Sequence, residues 1–471
     1  MTTKVKLTKT ALLACFCLGN LFASDAPTIS QQEQDYARDN LSAEKMQASS
    51  LKVTAQELKL RGGCPNFFSR MAKEKSLTVA YFGGSITNHN GWRPQTFAEL
   101  QKMSESCKLK MVNAAIGGTG SIVGVFRADD ELIAHKPDLV FIEFAVNDGG
   151  DAVKRTKDVM RALEGIILKI KKANPLTDIC MVYTLQTANL EVVKSGFCHP
   201  AAAVHEQVAT AYNLPSIYVG PAIVQAIDQG KAVMFGKVTD KAQGTEANGK
   251  LVITEDNTHP VLPTGHAFYA EIVLRSLKIL QTEATKSGSQ EQKLPKPLFG
   301  STWEKAKTLQ VQGNATFKGT WNELKKDNGP KCFRYGDKIY DRFPCLMSTK
   351  TPGSSVTVKY KGTLIGLKGM KGPNSGILDI AVDGKKQKPE NQFTAYNTRF
   401  FYEGAPLDEM KDGEHEVVWS LSAEAPDKGK ILASYYKPNN DADLKAHPEK
   451  YKENSFSVGE LIMIGDVIPV K

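Results

Sequence analysis

Between about Leu51 and Lys286, short β-branched or apolar runs alternate with longer helical patterns, and this alternation limits the fold more than any other feature of the chain. Strands separated by helix-length segments pair in parallel, so the pattern predicts an α/β domain with helices covering a central sheet. The runs are Leu77–Phe82, Leu109–Asn113, Leu139–Phe144, Ile179–Thr184 and Ser216–Val219. Between the third and fourth, Val159, Leu163, Ile166, Ile167 and Ile170 recur at i, i+3 and i+4, which predicts an amphipathic helix ended by Asn174-Pro175.

After a polar stretch at Thr285–Lys293 the period changes to two. Ser355–Tyr360, Thr363–Lys368, Ile377–Val382, Glu416–Leu421 and Ser457–Ile464 read as strands, and Asp383-Gly384 reads as a hairpin turn. This half predicts an antiparallel β-sandwich of jelly-roll type. The expected division is an α/β domain over 51–286, a linker over 287–299 and a β domain over 300–471.

The first residues have the composition of an export signal. Lys4, Lys6 and Lys9 precede the apolar run Ala11–Leu18, and Leu21-Phe22-Ala23 offers a small-residue exit, so 1–23 is expected to be removed and 24–50 to form a leader to the domain. Cys15 as a lipid anchor is the weaker reading, because few apolar residues precede it. No later run approaches the ~20 apolar residues that span a bilayer. The net charge of +9 falls to +6 without those lysines, and charges of both signs are interspersed, which argues for a solvated surface and against a nucleic-acid groove. Of the cysteines outside the signal (Cys64, Cys107, Cys180, Cys198, Cys332 and Cys345), Cys332 and Cys345 are the best local candidates for a disulfide.

Four segments carry chemistry. Gly83-Gly84-Ser85-Ile86-Thr87 places a serine on a tight turn after the first strand, at the sheet edge where open α/β folds bind ligands. Gly117-Gly118-Thr119-Gly120 offers backbone amides after the second. Val146-Asn147-Asp148 projects a side-chain amide after the third, a candidate oxyanion donor. Asp256-Asn257-Thr258-His259-Pro260 sets a carboxylate three residues from an imidazole, close enough to orient it as a general base. Each has an ordinary reading as a turn or a surface pair; all four in chain order do not.

These four blocks resemble those of the SGNH (GDSL-like) hydrolases. The resemblance implies a flavodoxin-like three-layer domain in which Ser85 is the nucleophile, His259 the base and Asp256 its orienting partner. The oxyanion would be held by the Ser85 and Gly118 amides and the Asn147 side chain, with no metal or organic cofactor. The serine block departs from the family's common Gly-Asp-Ser by carrying Gly84. Gly91-Trp92-Arg93 and the second domain are more narrowly similar to two-domain carbohydrate esterases of family 20, which implies an exported acetylesterase whose partner is an acetylated polysaccharide or glycoprotein glycan, of xylan or mucin and sialoglycan type. The rivals are a short-chain lipase or lysophospholipase and a silent glycan-binding protein.

Other residues have weaker claims. Trp92 and Arg93 are candidates for an acyl or sugar subsite or for core. His199, His205 and Glu206 lack metal-site spacing and read as surface polar residues, and His266 reads as structural. Trp321, Tyr335, Tyr340, Phe343, Tyr396, Phe400, Phe401 and Tyr402 supply either a glycan platform or sandwich core.

Overall fold

In the computed structural model, residues 51–469 are described apart from 105, 288–292, 301, 334, 344 and 435–438; the expected signal and leader lie outside the described residues. The five apolar runs of the first half form β2 (Ser76–Gly83), β3 (Lys108–Asn113), β4 (Leu139–Glu143), β5 (Asp178–Tyr183) and β6 (Ser216–Tyr218). They pair in parallel in the order β3-β2-β4-β5-β6, the flavodoxin-like order. A two-residue strand, β1 (Leu58–Lys59), adds antiparallel to β6. Every residue of β4 and β5 is buried, as expected of central strands covered on both faces.

Helices Pro65–Met71, Trp92–Met103 and Thr264–Ser287 pack together over one face of the sheet, and Ser121–Glu131, Ala145–Lys154, Thr156–Ala173 and Pro200–Ala211 over the other. The helix read from Val159 to Ile170 spans Thr156–Ala173. It is buried well beyond its apolar stripe, because the segment Thr302–Lys305 lies across its outer side. Gly165 permits that approach: a Cβ there would come within 2.8 Å of the Trp303 carbonyl oxygen. A further parallel pair, β7 (Ala232–Phe235) and β8 (Leu251–Thr254), stands apart from the main sheet.

In the second half every pair of named strands is antiparallel. Its larger sheet runs β15 (Lys385–Lys386), β14 (Ile377–Val382), β18 (Gly413–Leu421), β13 (Ser355–Lys371), β20 (Glu460–Val467) and β9 (Lys307–Gln310), with β10 (Thr316–Lys318), β16 (Glu390–Asn391) and β17 (Phe401–Pro406) pairing off this path. A smaller sheet, β11 (Asn322–Leu324), β12 (Leu346–Thr349) and β19 (Phe456–Val458), contributes Phe456 and Val458 to a core shared with Val356, Trp419, Leu461 and Met463. The turn at Asp383-Gly384 has positive φ at both positions, as a two-residue hairpin demands.

Two predicted strands, Ser355–Tyr360 and Thr363–Lys368, are one strand. β13 runs for 17 residues and passes the expected break through a register shift between Gly362 and Leu364. Conversely Ser457–Ile464 is interrupted at Gly459 and divides between β19 and β20. The six described cysteines are free, and Cys332 and Cys345 do not pair: Cys332 belongs to a cluster with Ile339 and Phe343, whereas Cys345 packs against the sandwich core.

Alternation in β20 joins the two halves. Leu461 and Met463 face the sandwich core, while Ile462 and Ile464 join the core of the α/β half together with Leu364, Trp303 and Ala306. The end of the expected linker is docked in the same seam. Leu294, Leu298 and Phe299 pack on the α/β core, and the buried Glu164 carboxylate accepts the Leu298 and Phe299 backbone N–H groups (2.5 and 3.0 Å) and the Tyr212 hydroxyl (2.7 Å). Glu164→Ala orphans these donors, and urea unfolding is expected to show a loss of about 3 kcal/mol.

Candidate active site

β2 delivers Ser85 to the carboxyl edge of the sheet, at the head of a four-residue helix, Ser85–Asn88. The two preceding glycines are dictated by the neighbouring strand end. A Cβ at Gly83 would lie 2.4 Å from the Glu143 carbonyl oxygen, and one at Gly84 only 1.7 Å from Oδ1 of Asn147. The Gly84 N–H also donates to Glu143 O (3.1 Å). Where the family's common block carries Asp, the space beside Gly84 is taken here by the Asn147 amide.

His259 arrives from β8, whose last residue, Thr254, starts the loop that carries it. Asn257 has φ +69°, its carbonyl accepts the Thr187 N–H (2.9 Å), and the Val261 N–H returns to Ile253 O (2.8 Å), closing the loop on both sides. The Ser85 hydroxyl is 2.7 Å from His259 Nε2, and His259 Nδ1 is 2.7 Å from Asp256 Oδ2. The second oxygen of Asp256 accepts the backbone N–H groups of Thr258 (3.0 Å) and His259 (2.7 Å) and the Thr254 hydroxyl (3.1 Å). Partial burial works against its ionised form, but these bonds and the imidazole prevail and hold the carboxyl down at about 2. Asp256 is thus an anion wherever an ester hydrolase operates, and it fixes the imidazole with Nε2 free to accept from the serine.

The loop after β3 closes over Ser85. Gly118 adopts φ +72°, and Gly117 lies so near that a Cβ there would be 3.2 Å from Ser85 Cβ. Arg127, buried on the helix that follows, ties this loop down: its guanidinium donates to the carbonyls of Ala114 and Gly83 and to the Thr119 hydroxyl, over the Phe82 ring. Asn147 stands at the start of Ala145–Lys154, and its side chain makes no hydrogen bond among the described residues, which leaves its N–H groups available to a ligand beside Ser85.

Asp148, the neighbour of Asn147, turns inward. Fully buried, it accepts the Ser121 N–H (2.8 Å) and faces His205 Nε2 (2.8 Å), so it braces the glycine loop from behind. His199, His205 and Glu206 are not surface residues: all are buried, Glu206 is paired with Lys59 and Arg61, and His199 caps its helix by accepting the Ala202 N–H. Among the described residues no cluster of His, Cys, Asp and Glu is arranged to hold a metal ion.

Trp92 and Arg93 do not line a subsite. Trp92 packs against Tyr81 and Phe141 in the core, and Arg93 donates to the Thr87 carbonyl (3.0 Å) beneath the Ser85–Asn88 helix. Trp92 is apolar enough to complete the sheet's packing, and Arg93 finds an unpaired carbonyl at the end of a one-turn helix. Of the aromatic residues of the second half, Tyr335 and Tyr402 reach the seam near the site; Phe343 is stacked beneath Tyr402, and Trp321 is packed between Phe317 and Phe456. Two cavities flank the glycine loop. One, of about 450 Å³, is lined by Asn88, Asn113, Asp130, Glu131, His135 and Tyr335 among others; the other, of about 190 Å³, lies between Gly118 and the β13–β17 edge.

Residues 81–238 match the model of the GDSL-like Lipase/Acylhydrolase family, a span that includes Ser85, Gly118 and Asn147 and ends before Asp256 and His259. Two crystal structures of a two-domain esterase (CEX) active on acetylated mannans resemble most of the chain, across both halves. The one co-crystallized with mannopentaose has a TM-score of 0.62 at 21% identity, covering 87% of this chain and 96% of that one; the other has a TM-score of 0.61 at 21% identity, with 88% and 98% covered. No curated protein sequence matches the chain. Over the matched residues the α/β half is similar to a GDSL-like (SGNH-type) hydrolase domain, and by class the protein is a carboxylic ester hydrolase.

One buried group beneath the site titrates. Glu143, at the end of β4, accepts the hydroxyls of Thr87 (2.7 Å) and Thr184 (2.9 Å), yet burial pushes its carboxyl up to about 7. Because the folded value lies above the unfolded one, the folded state holds the proton more tightly: stability is complete below about 4.5 and declines as pH rises through about 7. Urea unfolding of the protein and of Glu143→Gln, compared between pH 4.5 and 8, is expected to differ by a term that changes by up to about 3 kcal/mol in favour of the variant at the higher pH.

Proposed function

We propose that this protein is an exported serine esterase that removes O-acetyl groups from a glycan, with Ser85, His259 and Asp256 as its triad. The observation that carries the proposal is the continuous 2.7 Å chain from Ser85 through His259 to Asp256. In this reading His259 Nε2 takes the Ser85 proton as Oγ attacks the ester carbonyl, and the developing oxyanion is met by the Ser85 and Gly118 amides and the Asn147 side chain. Collapse of the tetrahedral species breaks the bond to the sugar oxygen, which receives the proton from His259. Water, deprotonated by the same imidazole, then releases acetate from Ser85 and restores the hydroxyl.

The surroundings of the site favour a small acyl group on a sugar over a long lipid chain. The larger cavity, which begins at Asn88 and Ile116 near the glycine loop, is lined mainly by amides, carboxylates and an imidazole, which suit hydroxyl groups, whereas an acyl tail needs an apolar channel. Residues of both halves meet there, with Tyr335 opposite Asn88 and Ile116, so the β domain shapes the cleft. The two-domain esterases that share this fold act on acetylated mannans, which adds mannan to xylan and O-acetylated sialoglycans as candidate substrates. Export is part of the proposal, on the strength of the first 23 residues; among the described residues no helix is long and apolar enough to cross a membrane.

Acetate release from acetylated mannan, acetylated xylan and O-acetylated sialoglycans, measured beside 4-nitrophenyl esters of rising chain length, tests this reading. Acetate from one glycan, abolished in Ser85→Ala, is the expected result, with a fall of more than about 10³-fold in kcat. Preference for long acyl chains would point to the lipase reading, and hydrolysis independent of Ser85 would overturn the triad.

A further inference from the structure

We propose that His89 is a positioning residue for the triad, its ring backing the His259 imidazole while its backbone is tied to Ser85. The inference rests on the triad reading above and adds a residue to it. Nucleophile and base come from segments 174 residues apart and are joined directly by one hydrogen bond. Asp256 holds one ring nitrogen of His259, but a single bond at Nδ1 leaves the ring free to rock about that bond; a flat surface against its face removes the freedom.

His89 supplies such a surface. Its ring lies 4.8 Å from that of His259, centroid to centroid, with 33° between the planes. Its N–H donates to the Ser85 carbonyl (2.9 Å), so the residue that backs the base is fixed to the nucleophile's own turn of helix. Behind it stands His266, whose ring meets His89 at 5.7 Å and 63°. That ring is fully buried and immobilised: Nδ1 accepts the Trp92 N–H (3.2 Å), and a Cβ at Gly91 would lie 2.1 Å from its Cγ. The row of rings from His266, edge-on to His89, through His89 to His259 thus runs from the core to the reacting group.

Contact by the ring face, and not hydrogen bonding at Nδ1, is what His89 offers: that atom is buried and has no partner among the described residues. Burial, and then the neighbouring His259, hold His89 below the usual histidine range despite Asp256, so the ring stays neutral and does not repel the imidazolium that His259 becomes during turnover.

Steady-state hydrolysis of 4-nitrophenyl acetate by the full chain, Ser85→Ala, His89→Ala and His89→Phe, with a thermal melt of each, tests the role. His89→Ala is expected to lower kcat about 10- to 100-fold with KM little changed and an unaltered melt, and His89→Phe, which restores a flat ring without ring nitrogens, is expected to recover most of the loss. Unchanged kcat in His89→Ala would overturn the inference. So would a loss that a folded His89→Phe fails to recover, since that would assign the effect to the nitrogens. If His89→Ala melts early, recovery of kcat in His89→Phe still decides the matter. Failure of the triad reading itself shows separately, as activity that persists in Ser85→Ala.

Discussion

Where β2 and β4 end side by side, the backbone after β2 has no room for side chains: the Glu143 carbonyl and the Asn147 amide occupy the places that Cβ atoms at Gly83 and Gly84 would take. The close approach follows from parallel pairing at the point where strand order reverses, with β3 to one side of β2 and β4 to the other. Because the chain must turn away there, Ser85 stands clear of the sheet with Asn147 beside it. The glycine loop after β3 closes over the same spot and is locked by Arg127 and Asp148. The candidate nucleophile and candidate oxyanion donors are therefore set by one piece of backbone geometry.

The imidazole is brought in by a different device. β7 and β8 stand outside the main sheet, and the loop leaving β8 is held by its own backbone bonds and by the carboxylate of Asp256. Asp256 serves both purposes, since the oxygen that accepts the backbone N–H groups shapes the loop and the other orients the ring. The second domain is no loose appendage: β20 contributes to two cores with alternate side chains, and Glu164 holds the connecting segment in place. This rigid seam puts Tyr335 and the β13–β17 edge opposite the glycine loop.

What could be read in the sequence follows from what periodicity reports. Buried parallel strands are continuous apolar runs, so β2 to β6 were visible to within a residue or two. β1, β7 and β8, two to four residues long and outside the run of five parallel strands, were not. Gly362 looked like a strand end and proved to be the site of a bulge, because glycine marks both in the same way. The reading of His205 and Glu206 as surface residues failed because polar residues on a helix look solvent-facing until their buried partners, Asp148 and Arg61, are brought to them from elsewhere in the chain.

The sequence by itself determined the two-layered plan of fold and chemistry: an alternating half that must form a parallel sheet, a period-two half that must pair antiparallel, and four polar blocks in chain order, the first three at the ends of predicted strands. These are local properties, written in spacing and residue type. Tertiary structure alone decided that Gly84 makes room for Asn147, that Trp92 and Arg93 are scaffold, that His89 and His266 line up behind His259, and that the second domain borders the cleft. Each of these is a contact between residues far apart in the chain. Such contacts depend on how packed elements cross and on which buried polar groups find partners, and no local pattern encodes either.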